Sequence, residues 1–518
     1  MLFFMKKLSK RKRRIVIFMG AFVSIFAGLG HAKDDFQIFP AQFNVTALNG
    51  KNGFVINGVK IGDSCGWAVS GARDINGDGI DDFLIGAYGA NNEAGQSYVV
   101  FGSKDSWPAE FNLVNLNGDN GFVINGISAK DGSGSALSGA GDVNGDGIYD
   151  ILISAHARNN LVGQSYVLFG SKRKWPQAIN LADLNGNNGF TINGIIGSFN
   201  NGESVSGAGD VNGDGLDDIL IGAQYNINHH GRGYVIFGNQ SAWSSIFDLE
   251  NLNGNNGFVI SGNSPDSRLG SFVSGAGDVN GDGIADILIS DSHFEEPGQG
   301  LTYVVFGSKT TWPANISLSD LNGANGFVMV GIHQFDESGS ALSGAGDING
   351  DGIVDILISA PGSDNYTGQS YLVFGHKGSW PASINLINLN GTNGVAFTGI
   401  HTNDFSGSSV SGVGDVNGDR IADILIGAMS ANNHAGQSYI VFGSKEPWHA
   451  EMMLVDLNGN NGFAINGMAV DQSGVSVSGV GDINGDGLPD FIIGAVGVNT
   501  QPGRAYLIFG QPKSVTKL

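Results

Sequence analysis

Along the chain, apolar residues fall in short runs of four to six, rich in β-branched and aromatic side chains and bounded by Gly, Asn and Asp. No helical period of comparable strength competes, so the runs predict β-strands. Between residues 135 and 193 four are expected: Ser135–Ala140, which is small and weakly apolar, then Ile151–Ala155, Ser165–Phe169 and Phe190–Asn193. The same four-strand pattern recurs along the chain. Asp-x-Asn-Gly-Asp, lying between strands one and two, begins at residues 74, 142, 210, 278, 347, 415 and 482, at intervals of 67 to 69. Each copy also carries an LNGxNG segment, followed by Phe in all but one (Val395), and a Gly-x-x-x-Ser-Gly run, and the copies fill the chain from about residue 40 to Gly510 without a linker.

Seven units of four strands predict an all-β chain folded as a seven-bladed β-propeller of antiparallel blades. An open solenoid is also built from stacked units, and the chain ends separate the two. Leu48–Phe54 runs into Val55-Ile56-Asn57, a fourth strand that lacks its own first three, while the last copy stops after its third strand at Phe509-Gly510. The N-terminal strand is therefore expected to complete the seventh blade, closing the ring and removing both open edges.

Composition agrees with this reading. The 84 glycines and 14% charged residues suit many tight turns between short strands. At 518 residues the length alone would suggest several domains, but the repeats assign residues 33–518 to one. A formal charge of −22 argues against nucleic acid and against an anionic membrane surface as partners. Cys65 is the only cysteine, so no intramolecular disulfide is available.

Residues 1–32 differ from the rest. Lys6, Lys7, Lys10, Arg11, Lys12, Arg13 and Arg14 precede an apolar stretch, Ile15 to Leu29, with Gly30 and Ala32 at the −3 and −1 places of a cleavage site. This is the pattern of a secretory signal peptide, its apolar run short for a membrane span. No second apolar run follows, and Ser514–Leu518 carries no anchor. The expectation is export, to the periplasm, the cell surface or the medium, with no transmembrane segment after cleavage. Removing the leader takes away seven bases and no acids, leaving −29.

The acidic loops account for much of that charge. In copy two, Asp142, Asn144, Asp146 and Asp150 offer side-chain oxygens from positions 1, 3, 5 and 9, and Ile148 a carbonyl from position 7. The same set recurs as Asp74, Asn76, Asp78, Ile80 and Asp82; Asp210, Asn212, Asp214, Leu216 and Asp218; and Asp278, Asn280, Asp282, Ile284 and Asp286. It recurs again as Asp347, Asn349, Asp351, Ile353 and Asp355; Asp415, Asn417, Asp419, Ile421 and Asp423; and Asp482, Asn484, Asp486, Leu488 and Asp490. Hard oxygen donors in this number suit calcium, about seven ions, one per blade, with the position-7 side chain buried and its carbonyl facing the ion. An EF-hand would need a bidentate Glu at position 12, where Ile153 stands inside a strand. Plain Asx-Gly turns need only one or two such residues. Two carboxylates about 4.5 Å apart repel by roughly 4 kcal/mol at an effective dielectric of 20, so three in one loop call for a cation. The loops hold 21 of the 48 acids, and seven divalent ions would bring −29 to −15. Copy six is the weakest, because Arg420 replaces the position-6 glycine with a β-carbon and a positive charge.

These loops, with their flanking strands, resemble the FG-GAP repeats of integrin α-subunit propellers and of many secreted bacterial proteins. The resemblance covers nearly all of the chain after the leader. It implies calcium in the loops and often adhesion or ligand binding. The aromatic that usually precedes the first glycine of strand one is replaced by Cys65, Ser133, Asn201, Leu269, Ser338, Ser406 and Ser473. No integrin leg domains are expected after the repeats.

Strand one runs toward the acidic loop, so the loops joining strands two to three and four to one lie on the opposite face. They vary most between copies: Tyr88–Glu93, His156–Val162, Gln224–His230, Ser292–Pro297 and Asp364–Thr367, with Lys130, Ser264–Arg268 and Phe335–Glu337. Varied loops on a rigid ring are where binding is built, which predicts an extracellular protein or glycan as partner on that face. Trp107, Trp175, Trp243, Trp312, Trp380 and Trp448 recur just after strand three, with Phe39 as a seventh equivalent, and are expected to pack between strands or blades. Cys65 reads as an inert thiol. No Ser-His-Asp, zinc-ligand or phosphate-loop constellation emerges. A hydrolase or lyase on this scaffold, the first alternative, would require a polar cluster breaking the seven-fold pattern at the axis; a structural envelope or matrix protein is the second.

Overall fold

The computed structural model describes residues 39–512 except 196, 197, 200, 227–230, 263–266, 293–297 and 498–501, with backbone only at 160, 198, 199, 225 and 226. The predicted leader lies outside the described residues.

In blade two the first four strands are Leu137–Gly141, Asp150–Ala155, Gln164–Leu168 and Gly189–Asn193, each antiparallel to the next. The second and third are buried along their whole length. Both of their faces are covered, one by each neighbouring blade, and this is why they read as continuous apolar runs rather than as alternation. Each of the seven blade sheets has five strands, and a separate two-stranded sheet pairs Ser198–Phe199 with Tyr225–Asn226. The additional strand of each blade is parallel and comes from the following copy: Ile246–Asp248 pairs with Gly189–Asn193. Three residues are too few to give a strand signal of their own.

The closure follows the predicted register and goes further. Gly53–Asn57 is the fourth strand of blade seven, antiparallel to Arg504–Ile508, and Glu110–Asn112 is its fifth. Upstream, Gln42–Asn44 supplies the parallel fifth strand of blade six, beside Gly462–Asn466. The N-terminal segment thus clasps two blades.

Buried apolar residues form seven clusters, each joining two adjacent blades, and none stands alone at the centre. One gathers Leu84 and Val99 of blade one with Ile151, Ile153 and Tyr166 of blade two. Another joins Ile492 and Leu507 of blade seven to Phe83, Ile85 and Val100 of blade one. Seven blades in an open stack would have six such interfaces, so the seventh marks a closed ring. The recurring tryptophans are part of this packing. Trp107, Trp175, Trp243, Trp312 and Trp380 lie flat against Phe54, Phe122, Phe190, Phe258 and Phe327 of the preceding blade, at centroid distances of 4.2 to 4.4 Å. Phe39 takes the seventh place, stacked on Phe463 at 5.1 Å. Where Val395 replaces the phenylalanine, Trp448 instead meets Phe397 edge-on.

Around the axis the first strands approach so closely that only glycine fits. A β-carbon on Gly412 would lie 2.6 Å from the Gly344 carbonyl oxygen, and one on Gly71 would lie 2.9 Å from that of Gly479, across the closure. Serines stitch the same ring: the Gly479 amide donates to Ser411 Oγ at 3.2 Å and the Gly71 amide to Ser478 Oγ at 3.3 Å. Gly412→Ala is expected to destabilise the protein by about 1–3 kcal/mol through overpacking, measurable as a lowered melting temperature. An unchanged melting temperature would mean that the ring has slack.

Candidate functional site

Each acidic loop wraps around its first aspartate. In blade two, Asp142 Oδ1 accepts from the amides of Gly145 and Asp146 at 2.8 and 3.1 Å, and Oδ2 from Gly147 at 2.9 Å. Asn144 Oδ1 accepts from the Asp146 amide and Asp146 Oδ1 from Ile148, both at 2.9 Å. The wrapping needs left-handed backbone at positions 4 and 6, supplied here by Gly145 and Gly147 at φ of 72° and 82°. At the far end Asp150 is wholly buried and held by the Val143 amide on one oxygen and the Gly170 amide on the other. All seven position-9 aspartates are held this way, by one amide of their own loop and one from the end of strand three.

Burial dominates the electrostatics of position 9. It pushes Asp150, Asp218 and Asp490 up to about 8 and Asp286 and Asp355 up to about 7, against the pull of their amide donors and with a further push from the carboxylates at positions 5 and 1. Asp82 and Asp423 also lie well above the usual carboxylate range, for the same first reason. A buried carboxyl with no cation beside it holds its proton near neutral pH.

Three carboxylates and a carboxamide within nine residues are the donors a hard divalent cation takes. Position 3 already reaches position 9 in two loops: Asn417 Nδ2 donates to Asp423 at 3.2 Å and Asn144 Nδ2 to Asp150 at 3.4 Å. As the side chains stand, however, no three His, Cys, Asp or Glu among the described residues come close enough to share an ion. The carboxylates at positions 1 and 5 serve loop amides instead. The position-7 side chains, expected to be buried, are half-buried; Ile148 lies against Gly170, where a β-carbon would fall 2.6 Å from its Cγ2.

The loops are also tied to the next blade. The Ser171 amide of blade two donates to the Ile75 carbonyl in the loop of blade one, and Lys172 lays its stem across Gly77 of that loop. Comparable amide bonds reach Val143, Val211, Val279, Ile348, Val416 and Ile483. The order of each loop is thereby coupled to an interface between blades.

Arg420 sits at φ 71° where the six other loops have glycine, and its amide still caps Asp415 at 2.6 Å. A β-carbon at the equivalent glycines meets nothing within 4 Å, so Arg420 carries only the backbone cost, about 1 kcal/mol. Arg420→Gly is expected to raise stability by about that amount in a denaturant melt. A loss of stability would give the arginine side chain a structural role.

On the opposite face the loops are braced in pairs. Asp63, Asp131, Asp336, Asp404 and Asp471 are buried, and the backbone carbonyl of each accepts an amide from the neighbouring two–three loop, as Gly89 donates to Asp63 and Gly362 to Asp336. In four of them the carboxylate also caps its own loop, Lys60 donating to Asp63 and His333 to Asp336. Sequence reading passed over these residues, although Asp-x-(Ser/Cys)-Gly recurs with the repeat. On this shared frame the exposed side chains differ from blade to blade, and several are apolar residues at left-handed φ: Phe335 at 66°, Tyr366 at 61° and Val470 at 60°, with the half-buried Phe405 at 54°. Tyr366 stacks on Phe405 at 4.9 Å. Of the predicted contact loops, residues 227–230, 264–266 and 293–297 lie outside the described residues. Cys65 is wholly buried, and burial pushes its thiol up to about 12, consistent with an inert residue.

The FG-GAP repeat model matches residues 66–100, 133–168, 201–236, 338–373, 406–441 and 473–508. These are copies one to three and five to seven; copy four builds the same sheet without matching. Integrin alpha pat-2 of Caenorhabditis elegans is 31% identical over 239 residues, 43% of this chain and 18% of that protein. Integrin alpha-PS2 of Drosophila melanogaster is 29% identical over 239 residues, 43% of this chain and 15% of that protein. The phosphatidylinositol-glycan-specific phospholipase D of Bos taurus is 29% identical over 215 residues, 39% and 24% of the two chains. The matches thus span less than a quarter of these relatives. The solved structure of Chaetomium thermophilum Sqt1 aligns over 89% of this chain and 98% of its own, at 12% identity and a TM-score of 0.37. Six matched repeats on a closed ring of seven sheets define the class: the chain is a seven-bladed FG-GAP repeat protein. Its repeats resemble those of integrin α chains.

Proposed function

We propose that the protein is an exported adhesion or ligand-binding module whose seven acidic loops hold calcium and whose ligand, an extracellular protein or glycan, docks on the face opposite those loops. Asp, Asn and Asp at positions 1, 3 and 5, the position-7 carbonyl and the position-9 Asp would hold each ion, from Asp74–Asp82 through Asp482–Asp490. The ion would neutralise the buried carboxylate and lock the loop that joins neighbouring blades. The likeness to integrin α chains supports the adhesive reading, and the basic and apolar N-terminus supports export. No helix among the described residues is long and apolar enough to cross a membrane.

One observation carries the choice of face. Of the thirteen exposed large apolar residues among the described ones, six lie in the braced loops of the opposite face: Ile61, Trp67, Leu161, Phe335, Tyr366 and Val470. Four of them, Leu161, Phe335, Tyr366 and Val470, sit at left-handed φ, which is costly where Gly or Asn would serve. The test is binding of the protein without its leader to protein and glycan arrays in calcium. Combined Phe335→Ala, Tyr366→Ala and Phe405→Ala substitutions are expected to lower capture at least tenfold with an unchanged melting temperature. Captured ligand unaffected by these changes would move the site elsewhere. Release of a phosphatidylinositol-glycan anchor by the same preparation would replace the binding reading with an enzymatic one.

A further inference from the structure

The mouth of the axial channel on the acidic-loop face breaks the seven-fold pattern. Where each first strand ends, six copies carry glycine at positive φ (Gly141, Gly209, Gly277, Gly346, Gly414 and Gly481) and blade one carries Arg73 at φ 56°. Position 8 of each acidic loop lies against the strand end of the preceding blade: Ala285, Val354, Ala422 and Pro489 against Gly209, Gly277, Gly346 and Gly414. These four form an apolar arc. The rest of the rim is polar, with Asp81, Tyr149 and Asp217 at position 8 and Arg73 among them. Asp81 Oδ2 accepts from the Asp482 amide at 2.9 Å and Asp217 Oδ2 from the Asp142 amide at 2.8 Å, so neighbouring blades fix both carboxylates. The cavity is about 590 Å³, lined by Arg73, Tyr149 and Asp217 together with the serines and glycines of the first strands. This is the kind of polar cluster at the axis that sequence reading did not find, because its members come from three blades.

Arg73 is not explained by the fold. It takes a backbone conformation that suits glycine, its side chain is 66% exposed, and its one ion pair, to Asp81, spans 3.9 Å. A long, solvated pair of this kind stabilises little, whereas strained residues that persist without structural return gather at binding sites.

We propose that this mouth is a second binding site, for a small hydroxylated carboxylate such as a uronic acid unit of an acidic glycan. The Arg73 guanidinium presents paired N–H donors to the carboxylate. Asp217, anchored through one oxygen, accepts from a ring hydroxyl with the other, while Asp81 stands beside Arg73 at the rim. The 40%-exposed Tyr149 ring covers the C–H face of the sugar. The small residues of the first strands leave room for the ring.

The test is titration of the protein without its leader with glucuronate, glucose and glutamate, in calcium at physiological ionic strength, followed by calorimetry and ligand-observed NMR. Glucuronate is expected to bind at least tenfold more tightly than glucose or glutamate. Arg73→Gly, which restores the residue of the six other copies, is expected to abolish that preference while leaving the melting temperature equal or higher, and Arg73→Lys to lose most of it. Tyr149→Ala is expected to weaken glucuronate at least fivefold. Equal binding of glucose, equal binding of glutamate, or full retention of glucuronate by Arg73→Gly would each overturn the assignment. Whether calcium itself raises the melting temperature is read separately, so a failure here is distinct from a failure of the loop reading.

Discussion

In a calcium chelator, the melting temperature of the propeller is expected to fall as pH rises from 5 to 8.5, by about 10 °C or more, and added calcium to reverse the trend. The seven position-9 aspartates are wholly buried, and burial holds them far above the unfolded carboxylate value, at about 7 for Asp286 and Asp355 and about 8 for Asp150, Asp218 and Asp490. A raised carboxyl binds its proton more tightly folded than unfolded, so it contributes stability at pH below about 4 and loses it as pH climbs through 7 to 8. Each pH unit across that window is worth at most 1.36 kcal/mol per group. Relaxation and water entry reduce the sum to several kcal/mol, which at a few degrees per kcal/mol in a large domain is about 10 °C. A divalent cation reverses the order because it binds the ionised form: its stabilisation grows with pH, and its uptake near pH 7 releases protons. Since every loop is bonded to the next blade through its position-2 carbonyl, the gain should appear as one cooperative transition. A chelated protein whose melting temperature is flat or rising over this range, with no response to calcium at pH 8, would remove calcium from the account.

A chain beginning at Gly58 is expected to lose its cooperative transition. It lacks the fourth strand of blade seven, the fifth strand of blade six, and Phe39, which stacks on Phe463. With them go Phe54 and Ile56, both wholly buried at the interface of blades seven and one. Losing Phe54 alone corresponds to about 3–5 kcal/mol, and the open edge of blade seven would invite association. A peptide spanning residues 39–57, added in excess, is expected to restore the transition by supplying the missing strands. In the full-length chain, Ile56→Asp should be nearly as damaging, because a buried unpaired carboxylate costs several kcal/mol. Circular dichroism and light scattering give the answer: a truncated monomer melting within a few degrees of the full chain would mean that six interfaces suffice.

Much of this was legible in the sequence because the repeat makes each local pattern readable seven times. A continuous apolar run such as Asp150-Ile151-Leu152-Ile153 implies a strand covered on both faces, and only a ring or a stack can cover it so. The offset of Leu48–Asn57 against Phe509-Gly510 then decided between the two, and the structure places that strand in blade seven. The parallel fifth strands escaped notice because Ala178–Asn180 holds one large apolar residue and no turn signature. The aspartates of the opposite face were visible as a recurring Asp-x-(Ser/Cys)-Gly, but a single acid in four of the five copies carried no chemical signal.

By itself, then, the sequence determined what depends on neighbours along the chain: the strands, the repeat, the acidic loops with their donors, and the strand that closes the ring. Tertiary structure decided what depends on neighbours across blades. It holds the position-9 carboxylates at zero exposure between a loop amide and an amide 20 or 21 residues on, and this burial, rather than the count of acids, sets their proton affinity. It also brings Arg73, Asp81, Tyr149 and Asp217 onto one rim, although Asp81 and Asp217 lie two copies apart. The physical reason is the same in both cases: spacing along a chain fixes which groups share a turn, whereas desolvation and the meeting of side chains from different blades exist only once the ring has closed.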